Sequence, residues 1–371
     1  SLVVDFLARV ISNVNIQPKW QEDTVILSAA FKADLEEAIN EEINTLGKDL
    51  LEKIGDYRLR DFPIHINDRK MLEKLLERKI EKRFSETVAE ILQNTRLTFK
   101  DLDELSRVTY KTSRNDVSII YGSYGDLPIP QPLLTERFES SYAFMYGTGG
   151  KSLKIRGTKP WIILLLSGYA LSYAGYLEDT INYIHVHEPT LRDSELARFI
   201  ASRDGLIPHL TRLNVPLTPK TAYILYIASD IAKKIQEQAR LLEIVKGRQF
   251  QIEFERVRWS LTTYTTIERF VADLHSILLK LLKLDKGSIS WINQVSRECL
   301  FRRTSPMYSV YLRLISLLYN TFTGAGDPID TLYFMGRVFC EKYERESKRK
   351  DSYEFAERTR SVIKDMTKVL L

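Results

Sequence analysis

The stretch "WIILLLSGYALSYAGYL", Trp161 to Leu177, constrains this chain more than any other. It carries no charge, so folding must take it out of water. At 17 residues it stands at the lower edge of what crosses a bilayer, which needs about 20. Its Ser, Gly and Tyr content, and the lack of a second such run, favour a helix buried inside a globular protein, with no membrane partner. The chain has material to enclose it. Of its 371 residues 44% are hydrophobic and 28% charged, a globular balance long enough for two or three domains.

Before the run the chain reads as mixed. "LVVDFLARVI" and "TVILSAAF" (Thr24 to Phe31) are short, apolar and β-branched, and read as strands around a turn. The charges Asp5 and Arg9 inside the first, without a basic lead-in, argue against a secretory leader. "KADLEEAINEEINTLGKDLLEKIG" spaces Leu35, Ile39, Ile43, Leu46, Leu50 and Ile54 as a helix that stops at Gly55. "NDRKMLEKLLERKIEKRF" is a second helix, capped by Asn67 or Asp68, with the stripe Met71, Leu72, Leu75, Leu76 and Ile80. Its alternating charges suit a solvated face better than a nucleic-acid groove. Residues 115–160 return to strands and turns, with "DVSIIYGSYGDLPIPQPLL", "SYAFMY" and "SLKIRG".

After the run helices dominate. "TPKTAYILYIASDIAKKIQEQARLLEIVKG" starts at Thr-Pro and stops at Gly247, and "QFQIEFERV" alternates as one strand. Five helical patterns follow, beginning with "TIERFVADLHSILLKLLKLDKG". They are separated by Gly287-Ser288, Ser305-Pro306, Gly326-Asp327-Pro328 and Asp351-Ser352. Such short connections predict antiparallel neighbours. The expected class is α+β, mainly α: a mixed α/β N-terminal domain over residues 1–215 and a helical bundle over 216–371.

Candidate chemistry centres on "YGTGGKSLKIRGTKPW", Tyr146 to Trp161. A nucleotide-binding P-loop needs G-x-x-x-x-G-K-[ST], which would place its first glycine where Met145 stands. It also needs a helix straight after Lys151-Ser152, and Gly157 and Pro160 forbid a long one. A glycine-tipped β-hairpin fits better. Lys151, Lys154, Arg156 and Lys159 give it four cations, with no acid between Tyr146 and Pro160. Two readings remain open: contact with a nucleic-acid backbone, or a solvated hairpin. Further basic pairs are Arg256 and Arg258 in "RVRW" and Arg302 and Arg303 at a helix end, with "ESKRKDS" at a late junction. Each suits an exposed turn or helix terminus, and together they would suit a surface that tracks phosphates.

"HVHEP" offers a second chemistry. His185 and His187 alternate along a strand and would reach a metal together, with Asp179 or Glu188 as third ligand. No further ligand motif supports this, and His65, His209 and His275 stand alone. Cys299 and Cys340 are the only cysteines, which rules out a disulfide framework or a cysteine zinc site and suits a reducing cytoplasm. They lie on apolar helical faces as core residues. Neither a metal nor an organic cofactor is expected. The net charge of +5 permits a polyanionic partner without requiring one.

The order of regions, with "KPWIILLLSGYALSYAGYL" after the basic glycine loop and "GDPIDTLYFMGRVFCEKYE" near the end, resembles the large subunit of archaeal type I-A CRISPR interference (Cascade) complexes. That resemblance implies a non-enzymatic subunit that helps recognise the short motif beside a DNA target. It implies contact with guide RNA and target DNA, the other subunits as partners, and recruitment of the helicase–nuclease. Pairing with the guide then selects the sequence, while the protein holds phosphates. Two other classes stay open: a metal-dependent hydrolase or nuclease using His185 and His187, and a structural scaffold whose apolar helix faces meet partners.

Overall fold

A computed structural model describes residues 2–13, 18–21, 24–27, 32–55, 61–81, 83–103, 105, 108–112, 116–122, 127–133, 152–177, 179–186, 194–213, 215–237, 251–260, 263–341 and 350–371. The architecture is α+β and mainly α. The chain forms two compact units. The first comprises Ser1–Asn214 with Glu253–Val271, and the second Val215–Ile252 with Ala272–Leu371. Residues 253–271, which lie inside the expected helical domain 216–371, thus belong with the N-terminal part.

In order, the first unit contains α1 (Leu2–Asn13), β1 (Pro18–Gln21), β2 (Thr24–Leu27), α2 (Lys32–Gly55), α3 (Ile66–Leu76), α4 (Phe84–Asn94), α5 (Phe99–Asp103), β3 (Val108–Thr112), β4 (Asp116–Tyr121) and β5 (Leu127–Pro128). After a 3-10 turn at Gln131–Leu133 come β6 (Ser152–Gly157), α6 (Lys159–Ser172), β7 (Tyr173–Leu177), β8 (Thr180–Val186), α7 (Ser194–Ala201) and α8 (Leu206–Arg212). In the second unit α9 (Lys220–Gln236) comes first, and the rest of the expected helix, from 238 to 247, lies outside the described residues. The chain then returns to the first unit with the strands β9 (Gln251–Ser260) and β10 (Thr263–Asp273), and the second unit resumes with α10 (His275–Leu281), α11 (Lys286–Phe301), α12 (Tyr308–Thr323), α13 (Pro328–Tyr333), a π-helical segment Phe334–Phe339 and α14 (Lys350–Leu370).

The apolar run is the centre of the first unit. Thr158 stands at the N-cap of α6 with Pro160 in its first turn, where a missing N–H costs nothing. Ile162, Ile163, Leu166, Tyr169 and Ala170 are fully buried. The run is not one helix to Leu177, however. It turns at Ser172 into β7, where Tyr173, Tyr176 and Leu177 pair with Tyr183, Ile181 and Thr180 of β8. Among the described residues no helix is long and apolar enough to cross a membrane.

α1 packs on α6 and α7. The approach to α6 is so close that a Cβ at Gly168 would stand 1.7 Å from the carbonyl oxygen of Leu2, so only glycine fits. The strand expected at "LVVDFLARVI" is therefore a helix. Enclosed by other elements, it satisfies its backbone internally, and its two charges find distant partners. β2 pairs with β1 rather than with this segment. α2 runs to Gly55 as its spacing indicates, and α3 is capped by His65, whose Nδ1 accepts from Asn67 N–H at 3.3 Å.

A second sheet has the order β3-β4-β6-β5, with β4 and β6 parallel. The third has the order β10-β9-β8-β7. β10 occupies the start of a segment that reads as helix from sequence. Its Tyr264, Thr265, Thr266, Ile267, Phe270 and Val271 are β-branched or aromatic and prefer the pleat, and helix begins only at His275.

In the second unit α11 packs against α9, α12 and α14. Its Ile292, Val295 and Cys299 are fully buried, as are Leu314, Ile315 and Phe322 of α12. Asp285 and Asp327 cap α11 and α13, and Gly324 closes α12 at φ +82°. Cys299 and Cys340 are both buried, and neither is in a disulfide.

Candidate nucleic-acid interface and a buried charge cluster

The basic segment enters the structure at Ser152; Lys151 and the glycine tip lie outside the described residues. β6 follows where a P-loop would have a helix. Its pairing is more elaborate than a two-stranded hairpin. β4 runs parallel along all of β6, setting Lys154 beside Ser118 and Arg156 beside Ile120. β5 covers the other edge at Arg156 and Gly157. Arg156 is half-buried, while Lys159 is exposed in the first turn of α6. The junction is fixed by Thr158 N–H donating to Tyr121 C=O at 2.9 Å and by the rings of Tyr121 and Trp161, 5.0 Å apart.

The other basic candidates separate by what they touch. Arg258 is exposed on β9. Arg256, on the same strand, is mostly buried and paired with Glu268 at 3.2 Å. In the second unit Arg302 is exposed but pairs with Glu298 one helical turn away, at 2.6 Å. Arg303 donates to the backbone and side-chain oxygens of Thr218 at 2.8 and 2.9 Å, holding the turn before α9. Lys159 and Arg258 are therefore the candidates of the first unit most open to a phosphate.

His185 belongs to another arrangement. Its Nδ1 lies 2.6 Å from Asp5 Oδ2, and its Nε2 lies 3.3 Å from Glu255 Oε2, an ion-pair contact without hydrogen-bond alignment. Asp5 also accepts from Val186 N–H at 2.7 Å, and Glu255 from the Thr266 hydroxyl at 3.0 Å. The ring of Tyr183 stacks on the imidazole at 5.7 Å. Burial alone would lower the pKa of His185, but the charge and hydrogen bond of Asp5, with the contact to Glu255, outweigh it and raise the value to about 9. An imidazolium flanked by two carboxylates has no lone pair to give a metal. His187 and Glu188 lie outside the described residues, among which no group of three ligand side chains is set to hold an ion.

Further charges are buried nearby in the fold. Arg9 donates to Glu42 at 3.0 Å, to Asp49 at 3.3 Å and to the Ala201 carbonyl at 3.3 Å. Lys53 donates to the carbonyls of Ala170 and Leu171 at the end of α6, at 2.8 and 3.0 Å. Burial lowers its pKa to about 7. Asp61 accepts from Phe62, Ser85 and Glu86 N–H and from the Ser85 hydroxyl, which also meets Tyr169 Oη at 2.6 Å. Burial raises the pKa of Asp68 to about 6; its Oδ1 accepts from Gln131 N–H at 3.1 Å.

Asp5, Glu255, Lys53 and Asp61 were not singled out from sequence as site residues. The available signal was Asp5 and Arg9, one helical turn apart within an apolar stretch. Nothing local identifies partners tens or hundreds of residues away. No family model, curated protein or solved structure matches the chain.

Proposed function

We propose that this chain is a non-catalytic, cytoplasmic subunit of a CRISPR interference complex that holds nucleic-acid backbone. In this reading it helps recognise the target-adjacent motif, touches target DNA and guide RNA, and recruits the helicase–nuclease. The observation that carries the binding step is the passage from β6 into α6. A run of cations without an intervening acid leads into a helix start anchored on a buried core, with Lys159 exposed at its first turn. Such anchoring holds a cation in place for a phosphate at low ordering cost. Arg258 adds a second exposed cation in the same unit. The order of regions supplies the resemblance to the Cascade large subunit.

The test is binding of duplex DNA measured over about 50–200 mM salt. Lys154→Ala/Lys159→Ala should weaken binding and make the salt slope shallower by roughly 2, since each lost phosphate contact removes about 0.9. An unchanged affinity and slope would take this segment out of the contact set. Co-purification with guide RNA and the other subunits tests the assembly. A chain that stays monomeric beside them contradicts it.

The scaffold reading has its own support. Ile329, Tyr333 and Val338 are exposed on α13 and the π-helical segment, an apolar surface of the kind that meets protein partners.

A further inference from the structure

Glu253–Val271 is the only stretch after Asn214 that belongs to the first unit, and the chain on both sides of it belongs to the second. This β9–β10 hairpin therefore has to be held in place by something other than chain continuity. Part of the attachment is backbone: β9 lies beside β8 in the sheet, and Trp259 N–H donates to the Asp179 carbonyl at 3.1 Å. Part is aromatic, with Tyr264 set edge-on to Phe62 at 6.4 Å. The remaining part is charge. Glu255 extends from β9 to His185 of β8, and His185 turns its other nitrogen to Asp5 of α1.

Each of the three side chains is at most 2% exposed, so water does not compensate any of them. One imidazole thus joins two buried carboxyl groups from elements far apart in the sequence. Thr266 of the hairpin and the Val186 amide take the outer carboxylate oxygens. A buried charge that loses its partner is costly, so this junction is either made in full or not made.

We propose that Asp5, His185 and Glu255 form a charge latch that fastens the β9–β10 hairpin to the first unit. With the latch closed the hairpin completes the sheet. With either His185 or Glu255 neutral it detaches locally, carrying Arg256 and Arg258 with it, while the helical core around α6 stays folded. The latch needs no nucleic acid, so it stands apart from the binding role of those arginines.

Hydrogen exchange of the full chain, read by mass spectrometry, tests it. Glu255→Gln keeps the volume and the Thr266 contact but removes the charge. Amides of Gln251–Asp273 should then exchange at least about tenfold faster, with Lys32–Gly55 and Phe84–Asn94 unchanged. His185→Gln should do the same, and the double variant should add little because both changes break one junction. Unaltered hairpin exchange in Glu255→Gln overturns the proposal, as does a rise spread evenly over the first unit. Should His185→Gln fail to fold, Thr266→Val frees one oxygen of Glu255. A smaller rise confined to the hairpin supports the latch, and no rise overturns it.

Discussion

The two units bury polarity in different ways. Every charged side chain buried among the described residues lies in the first unit: Asp5, Arg9, Glu42, Lys53, Asp61, Asp68, His185, Glu253 and Glu255. Among the described residues the polar side chains buried in the second unit are serines and threonines: Ser229, Ser288, Ser296, Thr321, Thr331 and Thr359. Ser296 returns to its own helix at the Ile292 carbonyl, while Thr359 bonds its own Phe355 carbonyl and also accepts from the Trp291 indole N–H at 2.9 Å. A hydroxyl bonded within its own turn specifies nothing beyond that turn. A buried ion pair between distant elements specifies one arrangement, because any other strands a charge in low dielectric. The first unit is thus specified through long-range charge, and the second through apolar packing with a few neutral hydrogen bonds between its helices, such as Trp291 to Thr359 and Asn293 to Ser229.

The largest effect should come from cutting the first kind of contact. Arg9→Ala leaves Glu42 with the exposed Arg203 and Asp49 with Arg212 at 4.0 Å, and should cost about 3 kcal/mol, the low end for a broken buried pair. Chemical denaturation followed by exchange in each unit would show the loss in the first unit. An equal loss in the second would dissolve the contrast.

A pH series sharpens it, with effects on the order of 3 kcal/mol. His185 titrates at about 9 in the fold against 6.5 ordinarily, so the stability it adds is complete below pH 6.5 and is lost as pH rises through 9. Lys53 titrates at about 7 against 10.5, so it penalises the fold at neutral pH and the penalty lifts as pH rises from about 7 to 10.5. The two oppose one another, and the wild-type profile should be shallow between pH 7 and 9. Lys53→Met removes one of them, and the first unit should then weaken steadily over that range while the second does not. Asp68 acts on the acid side. Its raised pKa of about 6 makes the first unit gain stability as pH falls from 6 towards 4, a gain that Asp68→Asn abolishes. A flat profile in Lys53→Met would show that His185 is not charged in the fold.

The same contrast explains what could be read from sequence. α2 and the helices α11, α12 and α14 follow from apolar spacing, because their determinants are local, although Gly287-Ser288 and Asp351-Ser352, read as junctions, fall inside α11 and α14. α1 reads as a strand from its β-branched Val3, Val4, Val10 and Ile11, and the contacts that hold it as a helix are distant, since the partners of Asp5 and Arg9 sit at positions 42, 49 and 185. β10 was misread because its apolar residues fit either period until β9 is beside it. Of the site, the exposed cations Lys159 and Arg258 were legible. The charge cluster was not, since Glu255 reads as one acid among many until the fold sets it against His185.

Two buried serines give the finest test. Ser85 and Ser296 are both fully buried on helices. Ser85 stands between Asp61 Oδ1 and Tyr169 Oη, 2.6 Å from each, so Ser85→Ala strips a partner from a buried carboxylate and from a buried phenol. The expected cost is about 1–3 kcal/mol, the penalty of groups left unpaired. Ser296 donates to the Ile292 carbonyl at 2.8 Å, an oxygen that the helix already engages. Ser296→Ala should therefore change stability by less than about 0.5 kcal/mol, the methyl meeting an apolar setting as well as the hydroxyl did. The measurement is the denaturation midpoint of each variant at fixed slope. Equal losses would mean that burial alone sets the cost and that the long-range network around Asp61 adds nothing. A loss confined to Ser85→Ala would show that the first unit depends on where its polar groups point, and the second only on how its helices pack.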